Sequence, residues 1–198
     1  MSGPTITQVD LDASLWERVF TVAPLVLVGS REPSGAFDLA PKHLVAPMWG
    51  PWFAFVCSER HATYQNALRE GAFTVSWPQP SQVVLASLAA SPRCESGDKE
   101  ILRGLQTFPS RVVDGIFLRD AYFFLECRLD RTVDGFGDNS LVIGQVVAAY
   151  ASPESLRAFE REDAELIRDH PLLAYLYPGH FAVIEHGQAF PFPRGFTR

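Results

Sequence analysis

Short apolar runs separated by proline- and glycine-rich turns recur along this chain. Runs of about four to eight residues that are rich in β-branched and aromatic side chains are typical of strands, because a helix of that length buries too little. The pattern predicts strands at residues 25–30, 36–46, 52–57, 72–77, 121–133, 141–150 and 181–185, with a brief further strand within 108–120.

The predicted strand 36–46 contains a proline, Pro41, near its middle. Proline has no N–H to donate to a neighbouring strand, so we expect this strand to be irregular or bulged near residues 40–42. Irregular strands often border ligands, which makes this segment a candidate part of a binding site.

Helices are predicted between the strands from residue composition and from stop signals. Ala62 to Glu70 favours a helix, and Gly71 follows it as a C-terminal stop. Ser152, Pro153 and Glu154 form a strong helix start, and we expect that helix to continue to about Arg168. Further helices are predicted at 81–90 and 100–105, and the last helix should bury Leu156, Phe159, Ala164 and Ile167.

Two of the longer strands, 121–133 and 141–150, flank a turn at 134–139 that contains two glycines. Such a turn is typical of a hairpin, so these strands should pair antiparallel. Six or seven strands joined mostly by short turns favour a closed antiparallel barrel over a doubly wound sheet. The predicted fold is therefore mainly β, with a few inserted helices.

Candidate chemistry lies where strand 52–57 ends and helix 62–70 begins. The first turn of a helix has N–H groups without internal partners, so it binds anions readily. Ser58, Arg60 and Thr63 add two hydroxyls and a guanidinium to those donors, which suits one phosphate, and Asn66 shares a helix face with Thr63. Alternatively, Ser58 or Thr63 caps the helix and Arg60 is a solvated surface charge.

Charge and cysteine content narrow the functional classes. Lysine and arginine number 17 against 23 acidic residues, a net charge of −6, which argues against nucleic acid as a partner. The longest apolar run, at 83–90, is far shorter than the roughly 18 residues of a membrane span, and no secretory signal is recognisable, so no membrane partner is expected.

Three widely spaced cysteines, at 57, 94 and 127, suggest neither a disulfide framework nor a metal pair. They fit a reducing cytoplasm, and Cys57 and Cys127 lie in apolar runs as expected of inert core thiols. His180 and His186 have no second ligand at a useful spacing, so we expect no metal site.

Several segments, in this order and spacing, resemble the flavin reductase-like family of FMN-binding split barrels, which includes flavoredoxin. The segments are PLVLVGS at 24–30, GAFDLAP at 35–41, GPWFAFV at 50–56, SERHATYQN at 58–66 and GAFTV at 71–75, followed by 118–129 and 137–146. The resemblance covers about residues 20–150. It implies a split antiparallel β-barrel, a single domain over 1–198 with a C-terminal helix and tail at 151–198, and a homodimer with FMN at or near the subunit interface.

The resemblance also assigns site residues by position. It implies that the FMN phosphate and ribityl chain lie among Ser30, Ser58, Arg60, Thr63 and Asn66. It implies that the backbone of Ala40, Pro41, Lys42 and His43 follows the isoalloxazine edge. The aromatic residues expected to line the slot beside the ring are Phe37, Trp49, Trp52 and Phe192, and ordinary core packing is the expected role of at least half of them.

Four positions depart from the family pattern. Lys42 and His43 stand where the family often has tyrosine and serine, and Ala62 stands where it often has aspartate. Asn139 stands where many reductases have a histidine associated with the nicotinamide side. Asn139 can still hydrogen-bond a carboxamide, so we retain it as a candidate substrate-binding residue.

Three functions remain open from the sequence. The first is an NAD(P)H-dependent flavin reductase that transfers hydride to flavin N5, which needs stacked rings but no catalytic acid, base or nucleophile. The second is a flavoredoxin-like FMN electron carrier that receives electrons from a redox protein. The third is a split barrel whose site is vestigial and whose role is structural or regulatory. A dinucleotide-binding glycine loop is not recognisable, so any nicotinamide must bind the exposed flavin face.

Overall fold

The computed structural model describes residues 6–11, 15–94, 99–157 and 161–195. In chain order the strands are β1 (Thr21–Pro24), β2 (Val26–Arg31), β3 (Phe37–Lys42), β4 (Val45–Met48), β5 (Trp52–Ser58), β6 (Ala72–Trp77), β7 (Thr107–Pro109), β8 (Ile116–Leu118), β9 (Phe123–Phe136), β10 (Asn139–Ala151), β11 (Leu172–Tyr177) and β12 (His180–Ile184). The α-helices are α1 (Ala62–Glu70), α2 (Val83–Leu88) and α3 (Asp163–Asp169).

Within the described residues, seven strands form one antiparallel sheet in the order β3-β2-β6-β9-β10-β5-β4. Its two edge strands, β3 and β4, are consecutive in sequence and are joined by residues 43 and 44 alone. Two residues span at most about 7 Å, so the sheet must curl until its edges meet at this corner. The Val56 N–H donates to the Leu44 carbonyl at 2.8 Å and fastens the corner.

A smaller sheet, in the order β1-β11-β12, brings the C-terminal part of the chain back against its beginning. Thr21 to Pro24 pair with Tyr177 to Ala174 in antiparallel register. The short strands β7 and β8 pair with each other in antiparallel register. β8 lies within residues 108–120, where the sequence predicts a brief strand. No helix in the described ranges is long and apolar enough to cross a membrane.

The core consists of two apolar clusters. The first contains Phe53, Phe55 and Phe73, which are at most 1% exposed and whose rings meet edge to face or at a tilt. The second lies beneath α2 and the β7–β8 hairpin and includes Leu39 and Phe117. Each such side chain contributes about 1.5–3 kcal/mol by leaving water, so these clusters dominate the stability of the barrel.

The bulge predicted at residues 40–42 is wrong. β3 pairs with β2 in unbroken register from Lys42 opposite Val26 to Phe37 opposite Arg31. β3 is an edge strand, and its outer side has no neighbouring strand. Because Pro41 lacks its N–H on that outer side, the β2–β3 ladder loses no hydrogen bond. The interruption falls instead at residues 43 and 44, where the predicted strand 36–46 divides into β3 and β4.

The long helix predicted from Ser152 to Arg168 is also wrong. A 3₁₀ turn at Pro153–Ser155 ends at Leu156, whose ψ of 134° is extended, and α3 begins only at Asp163. Leu156 is 57% exposed and Ala164 is also exposed, while Ile167 is half-buried; the buried residue of α3 is Leu166, which was not predicted. Phe159 lies outside the described residues. A helix needs an apolar face to pack, because a short isolated helix is marginal in water.

Candidate functional site

A cleft of about 370 Å³ lies between β3, the start of α1 and the segment that follows α2. Of the residues predicted to bind the cofactor, Ala40, Pro41, Lys42, Arg60 and Thr63 line it. The other lining residues are Asp38, His61, Ala62, Ala89, Ala90, Ser91, Pro92, Arg93 and Lys99. The fold therefore brings the β3 segment and the α1 segment, predicted separately from the sequence, to the walls of one cleft.

The N-terminus of α1 opens toward this cleft. His61 is the N-cap residue, with φ −81° and ψ 140°, and makes no side-chain capping bond. The N–H groups of Tyr64 and Gln65 donate to the His61 carbonyl at 3.0 and 3.2 Å. In the part of the chain that the structure describes, no protein group accepts from the N–H of Ala62 or Thr63. Two backbone donors and the positive end of the helix dipole are thus available to an anion.

The capping alternative for Ser58 and Thr63 is wrong. The Ser58 hydroxyl accepts from the Arg60 N–H at 3.3 Å, ahead of the helix. Thr63 is 2% exposed, and its hydroxyl makes no hydrogen bond with the described residues although it is not sealed from the surface. The Thr63 hydroxyl therefore remains a donor for a ligand in the cleft.

Positive charge predominates around the cleft of an acidic chain. The cationic side chains that line it are Lys42, Arg60, Arg93 and Lys99, and Asp38 is the one carboxylate among the described lining residues. Arg60 is 80% exposed and approaches Asp138 at 3.5 Å. An exposed pair at this distance contributes little, so Arg60 can turn toward a ligand at small cost.

An ion cluster forms one wall of the cleft. The Asp38 carboxylate accepts from Lys99 Nζ at 3.0 Å and from Arg93 Nη2 at 3.1 Å. Lys99 also donates to the Leu39 carbonyl at 3.1 Å, and Arg93 contacts Glu32 on its other side. Arg93 and Lys99 were not predicted as site residues, because they lie in a polar stretch without periodicity, far along the chain from Asp38.

The surroundings of the two nearby imidazoles lower their pKa and so disfavour their charged forms. Desolvation lowers the pKa of His61 and of His43 below the ordinary value, and the charge of Lys42 lowers both further. The Cys57 thiol lies 3.9 Å from His61 Nδ1, and burial raises its pKa against the opposing effect of Lys42. Cys57 therefore stays a thiol, as expected for an inert core cysteine, and the cleft's positive charge comes from lysine and arginine.

Some predicted site residues support the cleft without lining it. Asn66 Nδ2 donates to Ser30 Oγ at 3.1 Å, and both residues are 1% exposed. This hydrogen bond joins α1 to β2. His43 packs on Tyr175 at a tilt, with ring centroids 4.5 Å apart, and lines a neighbouring cleft of about 410 Å³, which adjoins the first at Pro41.

The four aromatic residues predicted to line the ring slot do not line the cleft. Trp49 is 94% exposed, and Phe192 packs on Phe190 with centroids 4.6 Å apart. Phe37 and Trp52 are half-buried in β3 and β5. Within the described residues of one subunit, these four side chains therefore do not form a common wall.

Asn139 lies close to the predicted phosphate site. It is exposed and pairs with Ser58 across the β5–β10 ladder. The adjoining hairpin is fastened to the same turn, since Ser140 Oγ donates to Glu59 at 3.2 Å. The Asn139 amide is thus held beside the start of α1 and faces solvent.

Comparisons with known proteins agree with this architecture. The profile of the flavin reductase like domain matches residues 21–181. A comparison with curated protein sequences finds no match. Among solved structures, nitrilotriacetate monooxygenase component B from Bacillus cereus has a TM-score of 0.78 and 20% identity over 96% of this chain and 100% of that chain.

Two further structures extend the likeness. Flavoredoxin of Desulfovibrio vulgaris (Miyazaki F) has a TM-score of 0.76 and 20% identity over 96% of this chain and 100% of that chain. A Shewanella frigidimarina protein described as a flavin reductase with a split barrel domain has a TM-score of 0.74 and 15% identity over 87% of each chain. At these identities the likeness establishes the fold, and the predicted split antiparallel barrel is confirmed.

Proposed function

The chain belongs to the flavin reductase-like family, and from this premise we propose that it binds FMN in the cleft between β3 and α1 and acts as an NAD(P)H-dependent flavin oxidoreductase. The observation that carries the proposal is the uncapped N-terminus of α1, whose free N–H groups open into a cation-lined cleft. Our proposal includes the cytoplasmic location expected from the cysteine spacing.

The phosphate monoester fits the α1 end of the cleft. The N–H groups of Ala62 and Thr63 and the Thr63 hydroxyl offer three donors, and Arg60 adds a mobile guanidinium. A dianion held by backbone donors at a helix N-terminus also gains from the helix dipole. FMN ends in a phosphate monoester, so its negative charge would lie at the end of the ligand, beside these donors. A flavin that ends in a nucleotide has no terminal phosphate at that position, which favours FMN.

The ring would lie along the outer edge of β3. The Leu39 carbonyl points away from β2, because it accepts from Lys99. Outward-facing groups alternate along an antiparallel edge, so Pro41 also directs its carbonyl outward. A carbonyl there can accept from the flavin N3–H, and the charge of Lys42 beside it would stabilise negative charge on a reduced ring.

Bound FMN would supply the redox chemistry, by accepting a hydride at N5 and passing the electrons to an acceptor. The protein's part is to hold the cofactor and to leave one face of the ring open. Hydride transfer needs no protein acid, and the lowered pKa values of His43 and His61 disfavour their charged forms. Asn139, beside Ser58, would contact the carboxamide of the nicotinamide donor.

A second candidate is an FMN electron carrier that takes electrons from a redox protein. The observation that favours it is Asn139, an amide where reductases of this family often have an imidazole. Both candidates predict FMN binding, and they differ in whether NADH alone reduces the bound flavin.

The proposal includes a homodimer. Apolar side chains are exposed along β4 and its following turn, where Met48 is 45% and Trp49 is 94% exposed. Val133 and Phe136 are 40% and 58% exposed at the β9–β10 end. A second copy that covers these residues would remove them from water, and light scattering on the purified protein should give twice the chain mass.

The test is reconstitution with FMN followed by addition of NADH under air. Continuous loss of nicotinamide absorbance supports the reductase, and FMN binding without NADH oxidation supports the carrier. Failure to bind FMN at all would refute both functions.

Removing two of the proposed phosphate contacts tests where the cofactor binds. Replacing Arg60 and Thr63 together by alanine removes one charge-assisted contact and one hydroxyl contact, on the order of 2–4 kcal/mol, or roughly 30- to 1,000-fold in Kd. Arg131→Ala, which removes an exposed arginine 3.4 Å from Asp130, is the matched control and should leave the Kd unchanged. Equal FMN affinity in the double variant and the control would show that the phosphate binds elsewhere.

A further inference from the structure

Asp38 places a carboxylate in the wall of the cleft that is proposed to bind an anion. Its side chain is 5% exposed, and it contacts two cations, Lys99 at 3.0 Å and Arg93 at 3.1 Å. A buried carboxylate is retained only when it is paired and hydrogen-bonded, as Asp38 is. The negative charge nevertheless opposes any anion in the cleft, so the local field alone gives no reason for Asp38 to be there.

The two cations explain its placement. Arg93 and Lys99 line the same cleft but belong to the segment after α2, 55 and 61 residues along the chain from Asp38. Lysine and arginine side chains are flexible, and fixing them in one arrangement costs side-chain entropy. Asp38 holds both before any ligand arrives.

Two acceptors hold the Lys99 ammonium in place. The Lys99 side chain is 6% exposed, and its ammonium donates to Asp38 Oδ1 and to the Leu39 carbonyl. An ammonium has three N–H donors, so one remains for a ligand. Arg93 is held from both sides, by Asp38 and by Glu32.

We propose that Asp38 is a positioning residue of the cofactor cleft, which fixes Arg93 and Lys99 in the wall so that their charges face the phosphate end of the ligand. This inference rests on the proposed FMN function. It assigns Asp38 no contact with the reacting atoms. Preorganised cations bind an anion more tightly than mobile ones, because their ordering cost has already been met in the folded protein.

The effect of Asp38→Asn on FMN affinity should have the opposite direction to the one expected from the local charge alone. Asp38→Asn keeps the shape of the side chain and makes the cleft more positive by one charge. If the local field alone governed binding, FMN would bind more tightly. If Asp38 positions the two cations, the variant should bind FMN about tenfold more weakly, as expected for one charge-assisted interaction lost from the phosphate.

Riboflavin separates positioning from general damage, because it lacks the phosphate. The experiment titrates the cofactor-free protein with FMN and with riboflavin, follows quenching of flavin fluorescence, and checks each variant by thermal unfolding. We expect Asp38→Asn to weaken FMN about tenfold and riboflavin less than about twofold. The control is Asp114→Asn, the same change at a 60% exposed residue that pairs with Arg31, and it should alter neither affinity.

A second variant tests the coupling independently. Lys99→Gln should weaken FMN and spare riboflavin, and adding Asp38→Asn to it should cost much less than Asp38→Asn costs alone. If Asp38→Asn does not fold, the FMN-to-riboflavin contrast in Lys99→Gln decides the inference by itself.

Unchanged or tighter FMN binding in Asp38→Asn would overturn the inference, and so would equal weakening of both flavins, since Asp38 would then be merely structural. Unchanged FMN binding in Lys99→Gln would also overturn the inference. A parent protein that binds neither flavin would instead refute the proposed function, so the two failures are distinguishable.

Discussion

Glu126 is fully buried and should be among the most sensitive side chains of the barrel. Its carboxylate accepts from the N–H groups of Arg111 at 2.9 Å, Val112 at 2.6 Å and Val113 at 2.7 Å, and from the Tyr150 hydroxyl at 3.0 Å. Successive backbone N–H groups that converge on one carboxylate form an anion-binding concavity. Glu126 thereby ties the loop before β8 to strand β9.

Replacing Glu126 with glutamine keeps the volume but alters the donor count. One oxygen remains to accept from Val112 and Val113, but the new amide N–H₂ faces the Arg111 N–H, and two donors cannot bond each other. One buried N–H then loses its acceptor, at about 1–3 kcal/mol, and two charge-assisted bonds become neutral ones, at roughly 1 kcal/mol each. Glu126→Gln should therefore lower the free energy of unfolding by about 3–5 kcal/mol.

The effect should depend on pH in a defined direction. Burial alone would raise the pKa of Glu126, but the three backbone N–H groups and the Tyr150 hydroxyl outweigh it and hold the pKa below its ordinary value. A carboxyl with a lowered pKa in the folded state stabilises the protein above its unfolded pKa of about 4.3 and loses that contribution as pH falls through the folded value. The difference in free energy of unfolding between the parent and Glu126→Gln should thus be largest at neutral pH and decrease in acid.

Urea unfolding at neutral pH and at several acidic pH values measures the gap. Hydrogen exchange at the amides of residues 111–113 should show lost protection in the variant. Glu165→Gln, the same change at an exposed residue of α3, should stay within about 0.5 kcal/mol of the parent. A Glu126→Gln loss below 1 kcal/mol, or a gap that grows in acid, would contradict this account.

Two further predictions concern the core and the donor side. Gly144→Ala would place a Cβ 2.6 Å from Phe73 Cζ in the core, so urea unfolding should show a loss of about 1–3 kcal/mol, while Gly104→Ala, whose Cβ would meet nothing closer than 3.5 Å, should cost less than about 0.5 kcal/mol. Asn139→His should raise kcat/KM for NADH severalfold without changing FMN affinity, because it restores the imidazole that related reductases often have. An unchanged NADH rate would remove Asn139 from the nicotinamide site.

The strand-turn-helix unit that carries the proposed phosphate site could be predicted because its signals are local. The apolar run of β5 and the helix-favouring residues of α1 are adjacent in sequence. Gly71 ends the helix in the left-handed conformation, with φ 64°, and its N–H bonds the Ala67 carbonyl. Each of these features depends on a few neighbouring residues, so the observed bounds of α1, Ala62–Glu70, agree with the prediction.

The parts that could not be predicted depend on distant partners. Asp38, Arg93 and Lys99 meet only because the segment after α2 returns to β3, and no local pattern records that return. The helix predicted from Ser152 failed for a related reason. Its start signal is genuine and produces a 3₁₀ turn, but Leu156, which the predicted helix would bury, is 57% exposed and takes an extended conformation.

The same distinction between local and whole-protein properties explains how an acidic protein can bind the proposed anionic cofactor. A net charge of −6 is spread over the whole surface and acts on a long polyanion along its length, which is why nucleic acid was not expected. A single phosphate responds to charges within about 10 Å, the screening length at moderate salt. Within the cleft the positive charges are the α1 dipole, Lys42, Arg60, Arg93 and Lys99, and they outnumber Asp38, the one carboxylate among the described lining residues. The field at the phosphate can therefore be positive while the molecule is negative, and its strength depends on how firmly those side chains are held rather than on how many the chain contains.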